Sequence, residues 1–319
     1  MATRKVKKDL ISIIAQCYNE EVVIPQYYAE MAKLMKKMNY VDFELIFIND
    51  ASKDRSLEII KDLAKKDKRV KYISMARNFG REACAMAGFA MSKGDYVTQM
   101  DIDLQDPPEL LIEMYDALKN QGYDIAEAKA TSRHGYSKFH QFCINAFYTI
   151  TAKISTIKMV NGQREYALCT RQVVDAILSD KEKKLFNKGI IIDVGFNKKW
   201  IEYENVERAA GETKFPYVRM IKYAVGGIMN YSSFPLTFIL FFGAFTFFLF
   251  LIFFIIALVG KIRAGENVGA YLASFVPAGL ATGVICMMLG IMSLYISLIV
   301  TEVKERPLYT IKETNIDVK

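Results

Sequence analysis

The amino-acid sequence predicts an α/β domain on a mostly parallel sheet with helices on both faces, followed by a two-helix transmembrane hairpin. Three observations predict it. Between Leu10 and Met100 short apolar strands alternate with charged helical stretches, the pattern of a parallel sheet covered by helices. Polar clusters fall just beyond those strands, where open sheets of this kind hold ligands. From Ser232 to Val300 charges occur only in one short interruption, a composition that belongs in lipid.

The elements follow in order. Leu10 to Ala15 is a first strand; its apolar run is too short for a signal sequence and stops at Asn19-Glu20-Glu21. Glu20 to Lys37 is helical, Phe43 to Ile48 a strand, Ser56 to Lys66 a helix, Val70 to Ser74 a strand, Glu82 to Ser92 a helix and Asp95 to Met100 a strand. This soluble domain is expected to fill residues 1–210. Residues 211–231 carry Val218, Ile221, Val225 and Ile228 at near-helical spacing with Arg219 and Lys222 among them, which predicts an amphipathic helix at the lipid interface. The hairpin covers 232–300, with Ser232 to Gly260 and Val268 to Val300 each longer than the roughly 20 residues a span needs. Residues 301–319 form a tail. Lys214, Arg219 and Lys222 before the hairpin, with Lys304, Arg306 and Lys312 after it, outnumber Lys261 and Arg263 between the spans. That bias predicts a multi-pass protein of the inner (plasma) membrane with its soluble domain cytoplasmic.

Composition narrows the function classes. The net charge of +7 is spread along the chain, so an anionic membrane surface is a simpler partner than a nucleic acid, and no nucleic-acid partner is expected. Cys17, Cys84, Cys143, Cys169 and Cys286 are an odd set without CxxC spacing, which argues against a disulfide framework and a zinc site. No GxGxxG and no GxxxxGK[ST] is present, so the phosphate loops of dinucleotide and P-loop enzymes are missing. Substrate phosphates must be neutralised in another way. Asp101-Ile102-Asp103, just past an apolar strand, can aim two carboxylates at one Mg²⁺ or Mn²⁺ that also binds phosphate. Cys17-Tyr18-Asn19-Glu20 and Asn49-Asp50-Ala51-Ser52 end two other strands, so three strand ends converge on one crevice.

Ala15 to Glu21, Ile48 to Asp54, Arg77-Asn-Phe-Gly80 and Met100-Asp-Ile-Asp-Leu-Gln-Asp-Pro-Pro-Glu109 together resemble the family 2 inverting glycosyltransferases of the GT-A (Rossmann-like) fold. Gly211-Glu-Thr-Lys214, the paired spans and Glu302 to Tyr309 resemble the polyisoprenyl-phosphate branch, GtrB-like and dolichol-phosphate-mannose-synthase-like. The resemblance implies that Asp101, Asp103 and Gln105 bind the metal, that Asp50 contacts the nucleotide base, and that Asn19 and Glu20 lie by the nucleotide. It implies a catalytic role for Asp103 and Glu165, and an acceptor-phosphate site at Lys129, Arg133, Ser137 and Lys138. Clustered cations suit a phosphate carrying nearly two charges. The implied donor is a UDP-sugar, UDP-glucose or UDP-N-acetylglucosamine first, and the implied acceptor undecaprenyl phosphate for cell-envelope glycan modification. A homo-oligomer, with a tetramer among the options, is also implied. The chain departs from the family's pattern where Glu165-Tyr166-Ala167 replaces Asp-Phe-Arg and Asn49-Asp50 replaces Asp-Asp. Arg164 is the adjacent cation that could replace the missing arginine.

Two other readings compete. A polysaccharide synthase would need an acceptor motif of the QxxRW kind, whereas the lone Trp200 sits in Lys-Lys-Trp-Ile-Glu. A catalytically inactive membrane scaffold would account for the altered triplet but not for the intact Asp101, Asp103 and Gln105.

Overall fold

The computed structural model describes residues 7–131, 162–179, 191, 194–204, 232, 234–264, 268–304 and 306–317. Its core is an eight-stranded sheet in the order β7-β5-β6-β4-β1-β2-β3-β8. Strands β1 (Leu10–Cys17), β2 (Asp42–Asn49), β3 (Val70–Met75) and β4 (Tyr96–Gln99) are mutually parallel. Helices α1 (Val23–Lys37), α2 (Ser56–Lys66) and α3 (Arg81–Met91) connect them. These are the seven elements the sequence predicts, with ends moved by a few residues. Beyond them lie α4 (Leu110–Gln121), β5 (Ile125–Ala130), β6 (Gln163–Thr170), α5 (Arg171–Ser179) and β7 (Lys198–Tyr203).

Helices cover both faces because the central strands are apolar on both sides. Ile13, Ala15, Leu45 and Phe47 pack with Tyr27 and Met31 of α1, Ile60 of α2, and Leu111 and Met114 of α4. Ile14, Ile46 and Ile48 face the other way, onto Cys84 and Phe89 of α3 and Val173 and Ile177 of α5. Spacing of three and four residues puts the apolar side chains of α1 on one stripe, so burying that stripe orients the helix.

Where the chain must approach itself closely, glycine is required. A Cβ on Gly94 would lie 2.4 Å from Ser12 Oγ, 2.6 Å from the Tyr96 carbonyl oxygen and 2.7 Å from Ser12 N. Backbone atoms cannot yield as a side-chain end can, so Gly94→Ala is expected to destabilise the domain by about 3 kcal/mol. Gly94 precedes β4, at the end of the sheet opposite the carboxyl ends of β1, β2 and β4. Thermal unfolding of the full chain should therefore drop while the KM of the folded fraction holds.

The chain then enters two long helices, α6 (Phe234–Ala264) and α7 (Val268–Val303). They pack on each other: a Cβ on Gly243 would meet Met288 Cε at 2.6 Å, and the Tyr295 hydroxyl donates to the Ser232 carbonyl at 3.1 Å. Within α7, Ala281–Val300 is 20 residues of mean hydropathy 2.3, with none of that stretch buried, and is long and apolar enough to cross a membrane. Phe234–Thr246 of α6 is a shorter apolar stretch. The amphipathic segment expected at 211–231 lies outside the described residues.

The segment read from the sequence as a tail does more than trail. Residues Ile311–Thr314 form β8, antiparallel to β3 at the sheet edge. Lys61 holds Glu313 at 2.7 Å, Thr314 Oγ1 donates to the Tyr72 carbonyl at 2.7 Å, and Ala76 N donates to the Thr310 carbonyl at 2.9 Å. After α6 and α7 the chain thus returns to the sheet it left.

Candidate active site

The sheet order creates the crevice. From β1 the chain runs outward through β2 and β3, then returns to place β4 on the other flank of β1. Ligands in open α/β sheets sit at such a reversal, outside the carboxyl ends of the strands. Asn19 follows β1, Asp50 follows β2 and Asp101 follows β4. Each of these strand ends carries a non-glycine residue in the left-handed region: Asn19 at φ 56°, Ala51 at φ 56° and Leu104 at φ 55°. Left-handed backbone costs an alanine or leucine roughly 1–2 kcal/mol. Such strain persists where the surroundings over-determine it, and it gathers at functional sites.

The first two strand ends are stitched together. Asn19 N donates to Ser52 Oγ at 3.0 Å while Asn19 Oδ1 accepts from Lys53 N at 2.8 Å. Glu20 N donates to Ser56 Oγ at 2.9 Å, and Glu21 N donates to Asp54 Oδ2 at 3.1 Å. Asp50, buried, accepts the backbone N–H groups of Phe79 at 2.7 Å and Gly80 at 2.9 Å. Its carboxylate therefore sets the β3–α3 loop. Gly80 sits at φ 90°, the left-handed side that favours glycine, and delivers Arg81 as the first residue of α3.

Arg81 is the residue that the sequence reading missed. Its Nη2 donates to Asp101 Oδ1 at 2.6 Å and to Glu165 Oε2 at 3.1 Å, with Gln99 Nε2 at 3.5 Å from the same Glu165 oxygen. Glu165 arrives because β6 runs antiparallel to β4, pairing Gln99 with Ala167, so the start of β6 lies beside the end of β4. Burial pushes the carboxyl of the neighbouring Glu82 up from its ordinary value, and the Glu165 charge adds to this. A signal for Arg81 existed. A cation in the first turn opposes the helix dipole, so it calls for a carboxylate partner.

Arg164 does not replace the arginine missing at 167. Side chains alternate along a strand, so Arg164 points with Tyr166 to the face opposite Glu165 and Ala167. There its Nε donates to Asp106 Oδ1 at 2.9 Å and to the Tyr203 hydroxyl at 3.2 Å, while that hydroxyl also donates to Asp106. The cation beside Glu165 comes from α3 instead.

Asp103 Oδ1 accepts from Gln105 N at 3.2 Å, which closes the turn that carries the acidic pair. Continuing the β1–β4 register past Ile14 and Gln99 sets Gln16 beside Asp101, and both polar atoms of its amide are buried with no hydrogen-bond partner among the described residues. Lys129, near the end of β5, lies at the same edge of the sheet, where its Nζ holds Glu202 of β7 at 2.7 Å. Arg133, Ser137 and Lys138 lie outside the described residues. Trp200 is on β7 with Lys198 Nζ 5.0 Å from its ring centroid.

The donor set fits a hard divalent cation. Asp101, Asp103 and Gln105 offer oxygens, and Arg81 already puts positive charge on Asp101. Among the described residues no three His, Cys, Asp or Glu side chains form a ready cage. The chain would thus supply part of a shell of about six oxygens and leave the rest to phosphate and water, as Mg²⁺ prefers.

Residues 12–177, from within β1 through β6 into α5, match the family model described as Glycosyl transferase family 2. The chain belongs to glycosyltransferase family 2. Among relatives of this family 2 glycosyltransferase, the putative glycosyltransferase CsbB of Bacillus subtilis is 37% identical over 98% of this chain and 94% of its own length. The SfII prophage-derived bactoprenol glucosyl transferase of Shigella flexneri is 34% identical over 96% of this chain and 98% of its own. A solved glucosyl-3-phosphoglycerate synthase from Mycobacterium tuberculosis shares 18% identity at a TM-score of 0.49 over 69% of this chain and 78% of that one, too distant to transfer any residue's role.

Proposed function

We propose that this glycosyltransferase moves a sugar from a nucleotide sugar to a polyisoprenyl phosphate at the cytoplasmic face of the inner membrane. The observation that carries the proposal is the pairing of Asp101 and Glu165 around Arg81 at the point where the strand order reverses. The apolar helices supply the second half. Phe241, Phe245, Ile252 and Ile256 of α6, with Ile285, Met287, Leu289 and Ile299 of α7, are at least half exposed, a surface untenable in water and ordinary in lipid. Because β8 returns to the sheet, the residues on either side of α6 and α7 lie on one side of the membrane, which supports a two-span hairpin, and the excess of Lys and Arg flanking it supports a cytoplasmic catalytic domain. The full-length relation to a protein named bactoprenol glucosyl transferase supports a lipid-phosphate acceptor, undecaprenyl phosphate first.

A phosphate oxygen of the acceptor attacks the anomeric carbon from the side opposite the nucleoside diphosphate. The new carbon–oxygen bond forms as the bond to the diphosphate oxygen breaks, and that oxygen leaves with the electron pair, inverting the centre. A phosphate monoester with a second pKa of about 6 is mostly dianionic near neutrality, so no proton has to be removed for attack. Glu165 then orients the sugar or the acceptor, with Arg81 fixing its direction. Asp101, Asp103 and Gln105 would hold Mg²⁺ or Mn²⁺, which when bound would supply charge stabilisation for the departing diphosphate. Asn19, Glu20 and Asp50 line the nucleotide side. Lys129, Arg133, Ser137 and Lys138 receive the acceptor phosphate, with Lys129 released from Glu202. UDP-glucose and UDP-N-acetylglucosamine are the donors of choice, and the hairpins pack copies into a homo-oligomer.

The test is direct. The purified full chain with Mg²⁺ or Mn²⁺, undecaprenyl phosphate and a panel of UDP-sugars should yield a glycosylated lipid by mass spectrometry with at least one donor. No product from any nucleotide sugar would overturn the proposal.

A further inference from the structure

Arg81 makes its two contacts through one nitrogen. Nη2 alone reaches Asp101 and Glu165, and among the described residues Nη1 and Nε make no hydrogen bond. The side chain is half exposed, so it rests at the mouth of the crevice and is not locked under packing. Its base is rigid: Asp50 grips the backbone of Phe79 and Gly80 just before it, and α3 is buried from Ala83 to Phe89. The arrangement is a fixed root with a movable charged head. At 2.6 Å from Asp101, that head occupies an oxygen a divalent cation would need.

Building on the metal-nucleotide reading above, we propose that Arg81 is the stand-in cation of the empty enzyme and the diphosphate clamp of the loaded one. Without ligand, Arg81 neutralises Asp101 and Glu165, which would otherwise face each other across the crevice as unbalanced like charges. With a divalent cation on Asp101, Arg81 lets go of that oxygen, keeps Glu165, and turns its unused N–H donors to the diphosphate of the nucleotide. A guanidinium suits both duties, because its fork of donors matches carboxylate and phosphate alike. The residue thereby links donor arrival to the orientation of Glu165.

Competition for Asp101 makes a counterintuitive result expected. Arg81→Gln should bind Mn²⁺ more tightly than the parent when no nucleotide is present, by about two- to fivefold, the range for a partly exposed ion pair removed from competition. The same variant, saturated with Mn²⁺, should bind UDP about tenfold more weakly, since a charged donor to phosphate is lost. Mn²⁺ electron paramagnetic resonance on the full chain in detergent reads the first, and calorimetry with UDP the second. Asp101→Asn is the control and should lose Mn²⁺ binding. If Asp101→Asn binds Mn²⁺ as the parent does, the metal site fails and the proposal with it. If Asp101→Asn is blind to Mn²⁺ yet Arg81→Gln has unchanged or weaker Mn²⁺ affinity, the proposal alone is overturned. The parent protein gives an independent readout: phenylglyoxal labelling of Arg81, mapped by mass spectrometry, should rise with Mn²⁺ and fall when UDP is added. Labelling indifferent to Mn²⁺ also overturns it.

Discussion

Replacing Asp101 by Asn, or Asp103 by Ala, is expected to lower the rate of sugar transfer by roughly 10²- to 10³-fold, the size of effect seen when one electrostatic partner of a departing charge is removed. Folding should hardly change. Asp101 is partly exposed and its partner Arg81 half exposed, so losing that pair removes an ion contact of small net worth. The two measurements separate chemistry from structure: kcat for product formation should collapse while the melting temperature of the full chain moves by no more than a few degrees. Transfer at the parental rate in Asp103→Ala would remove the acidic pair from the mechanism and return the inactive-scaffold reading to contention.

The second large effect falls on stability. Asp106 is buried and receives Arg164 Nε at 2.9 Å and the Tyr203 hydroxyl, joining the loop after the acidic pair to β6 and β7. Burial, then the Asp106 charge, pushes the Tyr203 phenol well above its ordinary range, so it stays a neutral donor. Asp106→Ala would leave a mostly buried guanidinium and a hydroxyl without their acceptor. Breaking one side of a buried pair costs about 3–5 kcal/mol, and partial exposure of Arg164 places this case nearer 3. In a domain of this size that lowers the melting temperature by about 6–10 °C. Asp106→Asn keeps an acceptor and should lose less than half as much. Because the network pins the turn that holds Asp103 and Gln105, the donor KM should rise in Asp106→Ala as well. An unchanged melting temperature would show that Arg164 and Tyr203 find other partners.

β1 to β4 and their helices were legible because β1 and β2 are largely apolar runs buried on both faces, and all four strands are short and bounded by polar turns and charged helical stretches. The acidic pair was legible because it follows such a run within a few residues. Nothing comparable marked β6 or β8. Their pairings join residues far apart in the chain, as Gln99 with Ala167 or Ile73 with Thr314; β8 is a short antiparallel edge strand, and the inner strand β6 opens on the polar Gln163-Arg164-Glu165, so neither carries a plain hydrophobic pattern.

Arg81 and Arg164 show where local reading stops. Both are single cations next to motif residues, and chain proximity favoured Arg164, adjacent to Glu165. The alternation of side chains along β6 sends Arg164 to the opposite face, while α3 carries Arg81 across to Asp101 and Glu165. The sequence by itself determined the family, the parallel core, the placement of Asp101 and Asp103 at a strand end, and the lipid-like composition of the last third of the chain. Only the tertiary structure decided which cation meets Glu165, that Asp50 shapes the loop delivering that cation, and that the chain returns after α7 to complete the sheet. The reason is physical: local pattern reports what each segment must bury, whereas a polar contact between distant segments depends on strand order and register, which no single segment encodes.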